Sequence, residues 1–234
     1  MDIAYIDQLA NNNNSYLHRA SVFSKVLFAI IVLAATIIGS SSIELGLVFL
    51  SLVIILKSAG LPAGKIIHFS LYPAFFSLLF AGLRFYYSFD EGMSIILKAV
   101  NGAIIMVILV TTTPYPNLFS FFRVFLPQII VDAMFFTYRI LFILIDKVKN
   151  ILTIIKLKGG FRWYNITFNI RNLAGAIGVL FINSFDMLER MYNIYSLRGY
   201  EGNLHVHSKW YKLNRIDFIP LIIALILLVM VVVF

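Results

Sequence analysis

The sequence contains no cysteine. Disulfides, cysteine metal ligands and a thiol nucleophile are therefore excluded, and cysteine usage says nothing about the redox compartment. Charge is scarce as well, since Asp, Glu, Lys and Arg make up only 13% of the 234 residues. A soluble protein of this size needs more polar cover, so we do not expect a soluble fold. The first twenty residues lack the basic start and apolar middle of a secretory signal peptide, and none is predicted.

Apolar residues dominate the composition instead. They make up 61% of the chain, and the mean hydropathy is +0.91. Such values are typical of a protein surrounded by lipid. Five apolar segments approach the length of a membrane-crossing helix, at residues 21–39, 43–56, 66–83, 93–110 and 218–234. We therefore predict an all-α integral membrane protein with about five transmembrane helices and, before the last of them, long amphipathic cytoplasmic helices.

The basic residues predict how the chain is oriented. Of the 19 Lys and Arg residues, 17 fall on one side of the predicted spans, Arg84 falls on the other, and Lys98 lies inside a span. Because Lys and Arg accumulate in cytoplasmic loops, we predict a multi-pass cell-membrane protein. Its N-terminus and the loop around Lys209 are cytoplasmic, and its C-terminus is external. The predicted domains are a four-span membrane region at 1–111, a cytoplasmic coupling-helix region at 112–215 and a C-terminal transmembrane helix at 216–234.

The cytoplasmic region contains two apolar blocks, at residues 129–145 and 173–185. They could form a further pair of spans, but Lys147, Lys158 and neighbouring cations would then lie outside. Amphipathic helices on the inner membrane face, or against each other, fit the charges better. Around the second block apolar side chains recur at steps of three and four, which predicts one buried and one wet face. These positions are Ile166, Ile170, Leu173, Ile177, Leu180, Leu188, Met191 and Tyr195.

Two short turns close these helical patterns. They are Leu157-Lys158-Gly159 and Leu197-Arg198-Gly199, and they lie 40 positions apart. A cation in the last turn meets the negative end of the helix dipole, and glycine adopts the left-handed conformation that ends a helix. Either turn alone is explained as a helix stop. As a pair in a basic segment, the turns favour docking on a cytosolic partner.

A glycine-rich segment near the second span imitates a phosphate-binding loop with Gly60, Gly64 and Lys65. Its spacer is too short, and Ile66 replaces the hydroxyl that would bind magnesium, so we predict a turn at the membrane end. The formal charge of +8 follows the membrane-flanking segments. It therefore indicates topology and contact with the lipid bilayer rather than nucleic-acid binding.

Candidate chemical groups are few. His205 and His207 have one nearby acid, Glu201, which favours a solvated loop over a metal site. Asp132 and Arg139 sit in an apolar segment where charge is costly, so we expect them to face a partner helix or the interface. No convergent set of acids and bases can be assembled, so no catalytic residue, cofactor or metal site is predicted.

Two longer stretches carry motifs that include the turns. The first contains Thr137-Tyr138-Arg139, Leu141-Phe142, Leu144 and Asp146 and leads to Leu157-Lys158-Gly159. The second contains Ile177-Gly178, Leu180-Phe181, Ser184-Phe185, Glu189-Arg190, Tyr192 and Leu197-Arg198-Gly199-Tyr200-Glu201-Gly202. They resemble the two coupling segments of the transmembrane T component of energy-coupling factor (ECF) importers, and the motif sequences resemble the cobalt and nickel branch most. Weaker matches are Leu17-His18-Arg19, Lys25, Thr112-Thr113-Pro114, Leu118 and Pro127.

The resemblance implies a non-catalytic transport subunit. Members of this family link a membrane substrate-binding subunit to two cytosolic ABC ATPase subunits, and the two turns are their ATPase-coupling contacts. Cobalt or nickel uptake is the expected function. A shared T component for vitamin uptake is the alternative, followed by a self-contained secondary transporter or a membrane enzyme. The family usually carries arginine where this chain has Lys158, and lysine keeps the charge without the planar fork.

Overall fold

The chain is helical throughout the part described by the computed structural model, which is residues 3–12, 15–200 and 217–233, without the side chains of residues 3, 4 and 12. No strand occurs in these ranges. The helices are α1 Ile3–Asn12, α2 Tyr16–Arg19, α3 Val22–Ile38, α4 Ser42–Ser58, α5 Ala63–Phe85, α6 Phe89–Thr112, α7 Tyr115–Phe122, α8 Gln128–Leu157, α9 Ile166–Leu197 and α10 Phe218–Val233. The predicted all-α fold is confirmed, and each of the five predicted apolar segments is a helix.

Among the described residues, four helices are long and apolar enough to cross a membrane, namely α5, α6, α8 and α9. α3 and α10 are apolar but shorter. Length and composition therefore permit α8 and α9 to cross a bilayer. The distribution of basic residues, however, favours helices that lie along the membrane surface. The choice between these arrangements remains a prediction.

The first helix, α1, was not predicted from the sequence. α1 packs against α6, and Ala10 is buried. The signal that could have identified it is the spacing of Ile6, Leu9 and Ala10, which places apolar side chains on one helical face.

The chain divides into two compact units. The first comprises residues 1–121 and 208–234 and contains α1 to α6 and α10. Its core includes Val32, Leu52, Ile104 and Ala224, contributed by α3, α4, α6 and α10. α10 packs alongside α3.

The directions of α3 and α10 follow from contacts at their two ends. The Ser21 N–H donates to Asp217 Oδ1 at 2.5 Å, and Ser24 Oγ donates to the Asp217 carbonyl at 2.8 Å. At the other end, a Cβ on Gly39 would lie 3.3 Å from Val231. The two helices therefore start at the same end of the first unit and run parallel.

A buried polar cluster occupies that shared end. Lys25 is only 4% exposed, and its Nζ donates to the Thr112 carbonyl at 2.8 Å and the His18 carbonyl at 3.3 Å. The His18 imidazole bonds the Leu9 and Thr111 carbonyls through Nε2 at 3.1 and 3.2 Å. The weakly matching motifs around Leu17-His18-Arg19, Lys25 and Thr112 are thus brought together, and they fix the end of α6 to α3.

The position of Lys98 inside a predicted span is explained by its contact with the C-terminal end of α3. Its Nζ donates to the Ile37 carbonyl at 3.0 Å, in the last turn of α3. A lysine inside the predicted span therefore meets the negative end of a helix dipole. Arg84 and Glu91, at the adjacent ends of α5 and α6, form an ion pair at 2.8 Å.

The second unit, residues 122–207, contains α8 and α9. The sequence predicted a buried apolar face on α9, but Ala176 is the single buried residue of that helix. Ile170 and Ile177 on the predicted face are 60% and 55% exposed. The neighbouring helix α8 covers only part of this stripe, so burial of the face against the membrane stays a prediction. Lipid or a partner must cover the rest.

Candidate functional site

The first turn closes α8 with a Schellman motif. Gly159 has a φ of 68°, in the left-handed region that favours glycine. The Gly160 N–H donates to the Ile155 carbonyl at 2.8 Å, and the Gly159 N–H donates to the Lys156 carbonyl at 3.1 Å. These two bonds define the motif and place Lys158 at the helix cap position.

The second turn repeats this geometry at the end of α9. Gly199 has a φ of 80°, the Tyr200 N–H donates to the Tyr195 carbonyl at 2.9 Å, and the Gly199 N–H donates to the Ser196 carbonyl at 3.0 Å. Arg198 occupies the cap position. The leucines that precede the two cations, Leu157 and Leu197, are 81% and 88% exposed. The prediction that both turns end helices is confirmed, and each presents a leucine and a cation to the outside.

A third Schellman turn shows whether a cation is needed at the cap position. At the end of α4, Gly60 has a φ of 65°, and the Leu61 N–H donates to the Leu56 carbonyl at 3.1 Å. Its cap position is held by the buried Ala59. The motif therefore forms without a cation at the cap, and Lys158 and Arg198 are not needed to close their turns. The segment that imitates a phosphate loop is confirmed as a helix end.

Asparagine side chains of α9 fix the segment that follows the first turn. Asn172 Nδ2 donates to the Gly160 carbonyl at 2.7 Å. Asn169 accepts from the Arg162 N–H at 2.8 Å and donates to the Arg162 carbonyl at 2.9 Å. The sequence analysis did not identify this role. The signal was two asparagines three residues apart, just after Asn165, which accepts from the Phe168 N–H as the helix cap.

Two aromatic side chains project from this fixed segment. Trp163 is 91% exposed and Tyr164 is 96% exposed. The Arg162 guanidinium lies over the Phe168 ring at 4.6 Å. Large rings held on an ordered backbone lose little entropy on binding, which is why Trp and Tyr are frequent anchors in protein interfaces.

The second turn is fixed by an aromatic cluster instead. The Phe136 ring of α8 lies 4.9 Å from Tyr195 and 5.6 Å from Tyr200. Arg139 donates through Nη1 to the Tyr195 hydroxyl at 2.7 Å. The expectation that Arg139 faces a partner helix is confirmed, because its partner belongs to α9.

Asp132 completes the fixation of the second turn. It is 1% exposed, lies 3.6 Å from the Arg123 guanidinium and accepts from the Tyr200 hydroxyl at 3.4 Å. Burial, followed by the charge and hydrogen bond of Asp132, raises the pKa of Tyr200. Tyr200 therefore stays protonated and remains a donor. Asp132 faces its own neighbours within this unit, as a costly charge in an apolar segment should.

The two turns lie at opposite ends of the α8–α9 pair. Tyr195 contacts Phe136, which precedes Leu157 by 21 residues along α8. At 1.5 Å per residue, the turns are separated by about 32 Å. The sequence predicted the turns at corresponding ends of consecutive helices. Both are indeed C-terminal ends, but they lie at opposite ends in space, because α9 runs back along α8.

An apolar groove runs between α8 and α9. One cavity of about 580 Å³ is lined by residues of both helices, including Ile140, Leu144, Val148 and Leu188. A second, of about 290 Å³, continues it toward Phe136 and Tyr200. These volumes are open apolar space without a charged pair suited to chemistry.

No group of three or more His, Asp or Glu side chains suited to a metal ion occurs in the described ranges. His205, His207, Glu201 and Lys209 lie outside those ranges, so the predictions about them are untested by the geometry.

Comparison with known proteins identifies the family of the chain. No curated protein matches the chain. The family model described as CbiQ, cobalt transport protein, matches residues 13–210. The matched segment contains both turns, the asparagine-fixed segment and the α8–α9 groove. Since it spans most of the sequence, and since the helices are long and apolar enough for several membrane crossings, the chain is a multi-pass membrane protein that belongs to the cobalt transport protein family CbiQ.

Proposed function

We propose that this chain is the coupling subunit of an ECF-type ABC importer, which transmits the motion of two cytosolic ATPase subunits to a substrate-binding membrane subunit. Cobalt, with nickel as the related cargo, is the proposed substrate, because the family match is to cobalt transport. The observation that carries the proposal is the pair of exposed Schellman turns with a cation at each cap, Lys158 and Arg198.

The cations themselves support docking. Ala59 at the equivalent position of α4 demonstrates that the turn closes without charge. Lys158 and Arg198 are exposed and form no ion pair with another described residue. Cations presented next to exposed leucines are suited to a groove with carboxylates or carbonyl oxygens at its rim and apolar walls.

The separation of the turns supports an arrangement of α8 and α9 along the inner membrane face. A hydrocarbon core is about 30 Å thick. If the pair crossed the bilayer, turns about 32 Å apart would lie on opposite sides, and only one could meet a cytosolic ATPase. Two ATPase contacts therefore require the pair to lie along the membrane.

The exposed apolar surface of α8 and α9 supports the proposed contacts with the membrane subunit and the bilayer. α9 has one buried residue, and the groove between α8 and α9 is lined mainly by apolar side chains, together with Thr137, Lys149 and Ser184. Surface of this kind is covered by lipid or by a membrane subunit. We assign it to the substrate-binding subunit and the bilayer, and we assign no catalytic role to this chain.

The experiment is ATP-driven cobalt uptake by the assembled complex carrying Arg198→Glu. The reversed charge opposes both the dipole of α9 and the proposed ATPase groove, so uptake should be abolished while the subunit remains inserted. Arg190→Glu is the matched control, since Arg190 is an exposed arginine of the same helix outside the turn. Uptake near the wild-type level with Arg198→Glu would reduce the turn to a helix stop and reject the proposal.

A further inference from the structure

A groove on α5 is lined by side chains that the coupling role does not use. Its volume is about 610 Å³, and its lining residues are Gly64, Lys65, His68, Phe69 and Tyr72. Their spacing of three and four places them on one face of the helix. A Cβ on Gly64 would meet nothing within 4 Å, so the groove is open beside the lysine.

Cationic and aromatic groups converge on this groove. Lys65 Nζ lies 4.6 Å from the centroid of the Tyr5 ring and donates to the Tyr5 hydroxyl at 3.5 Å. The His68 and Tyr72 rings meet edge to face at 6.5 Å. α5 carries no Asp or Glu between Ala63 and Phe85. An anion in the groove would therefore meet Lys65 and the His68 imidazole without a competing carboxylate from this helix.

Polarity changes along α5 in the same order as along a phospholipid. Lys65 lies in the first turn of the helix, and Tyr72 lies about 10 Å further along it. Beyond Tyr72 the exposed rings of Phe75 and Phe76 continue the surface. A phospholipid likewise has a phosphate, then glycerol esters at the depth where tyrosine is enriched, then acyl chains. One molecule can satisfy the cation and cover the rings.

We propose that this groove binds an anionic phospholipid, with the phosphate at Lys65 and His68 and an acyl chain along Tyr72 and Phe76. A free phosphate has the same anionic chemistry but leaves the exposed rings uncovered, which is why the lipid is the assigned ligand. The proposal is independent of the coupling role and needs only that α5 lies in the membrane.

The test titrates the full chain, purified in detergent, with phosphatidylglycerol or phosphatidylcholine and counts bound lipid by native mass spectrometry. The wild type should prefer phosphatidylglycerol. Lys65→Ala should weaken that binding about fivefold, the effect of one basic residue near an anionic surface. Adding His68→Ala should weaken it further, and binding of phosphatidylcholine should not change.

Lys57→Ala is the matched control, because Lys57 is an exposed lysine in the last turn of α4 and does not line the groove. Lys65→Gln keeps a polar side chain without the charge and should show the same loss, with an unchanged thermal unfolding midpoint. An equal loss in Lys57→Ala, or equal wild-type binding of the two lipids, would overturn the site. Displacement of phosphatidylglycerol by inorganic phosphate would assign the groove to free phosphate and overturn the proposal of a lipid site.

Discussion

Single side chains distinguish two turns whose backbones are the same. Both have a glycine with positive φ and the same pair of closing hydrogen bonds. The cap residue is Lys158 in one and Arg198 in the other. Lysine offers a compact charge with three rotatable donors, whereas arginine offers a planar fork that bonds carboxylates in pairs. The two contacts should therefore differ in strength and in their response to salt.

Substitution of the two cap residues measures this difference. Arg198→Ala should weaken binding of the ATPase pair by about 2 kcal/mol, because it removes charge-assisted hydrogen bonds. Lys158→Ala should weaken it less and with greater dependence on salt, since it removes a point charge. Lys158→Arg should be neutral or mildly strengthening. Affinity of the purified subunit at two salt concentrations gives the ranking, and a larger loss from Lys158→Ala would reverse it.

A second prediction at this scale concerns His18. Burial, followed by the charge of Lys25, lowers the pKa of His18. The neutral ring is therefore the form that the fold favours, with Nε2 donating to carbonyls and Ser15 Oγ donating to Nδ1 at 2.7 Å. A depressed folded pKa gives stability that is complete above the unfolded value of 6.5 and is lost as the pH falls through the folded value.

Thermal unfolding at pH 8 and pH 5 measures this effect. The wild type should unfold at a lower temperature at pH 5, and His18→Gln, which keeps a donor and does not titrate, should lose much of that difference. His68→Gln is the control, because His68 is an exposed histidine of α5 outside the buried cluster. An unchanged pH dependence in His18→Gln would exclude the buried ring as its source.

At the scale of helices and their connections, the segment between α8 and α9 is the most informative feature. Trp163→Ala should weaken ATPase binding by about 2 kcal/mol, the loss typical of an exposed aromatic anchor at an interface centre, and the loss should not depend on salt. Asn172→Ala, which removes the bond to the Gly160 carbonyl, should reproduce part of it by loosening the segment.

Phe181→Ala is the control for this prediction. Phe181 is 61% exposed in the middle of α9, away from both turns. If Trp163→Ala leaves ATPase affinity unchanged while Arg198→Glu abolishes uptake, the coupling role stands and the aromatic pair has no part in it.

Helices were predictable from the sequence where the chain encodes them locally. Long apolar runs predicted the apolar helices, and Gly159 and Gly199 predicted the helix ends, because a left-handed residue after a cation is a local feature. α1 was not predicted because its apolar stripe is short and the adjacent run of asparagines at residues 11–14 is typical of a polar loop. The bonds from Asn169 and Asn172 to the turn, and the meeting of Tyr200 with Asp132, depend on how α9 folds back along α8, which no periodicity specifies.

The orientation of the whole molecule is testable because the chain has no native cysteine. Lys158→Cys and Arg198→Cys should both be inaccessible to an external thiol reagent, as should Lys209→Cys in the part of the chain outside the described residues. Tyr87→Cys, in the exposed turn between α5 and α6, should be labelled from outside. All four follow from the 17-to-1 distribution of basic residues.

The pair of turns makes this experiment decisive about α8 and α9. External labelling of Lys158→Cys but not of Arg198→Cys would mean that the helix pair crosses the bilayer, since the turns are about a membrane thickness apart. Labelling of neither would leave the pair on the inner face. Because the two positions are read on the same chain, each serves as the control for the other.

The polar cluster at the start of α3 has a mechanical consequence. Thr112, at the end of α6, is held through its carbonyl by Lys25, and Asp217, just before α10, is held by Ser21 and Ser24. All three holding residues belong to one turn at the beginning of α3. Tension on the end of α6 or on the start of α10 is therefore delivered to the same short stretch of backbone. Stiffening or loosening that stretch would change how the end of α6 and the start of α10 respond to such tension together.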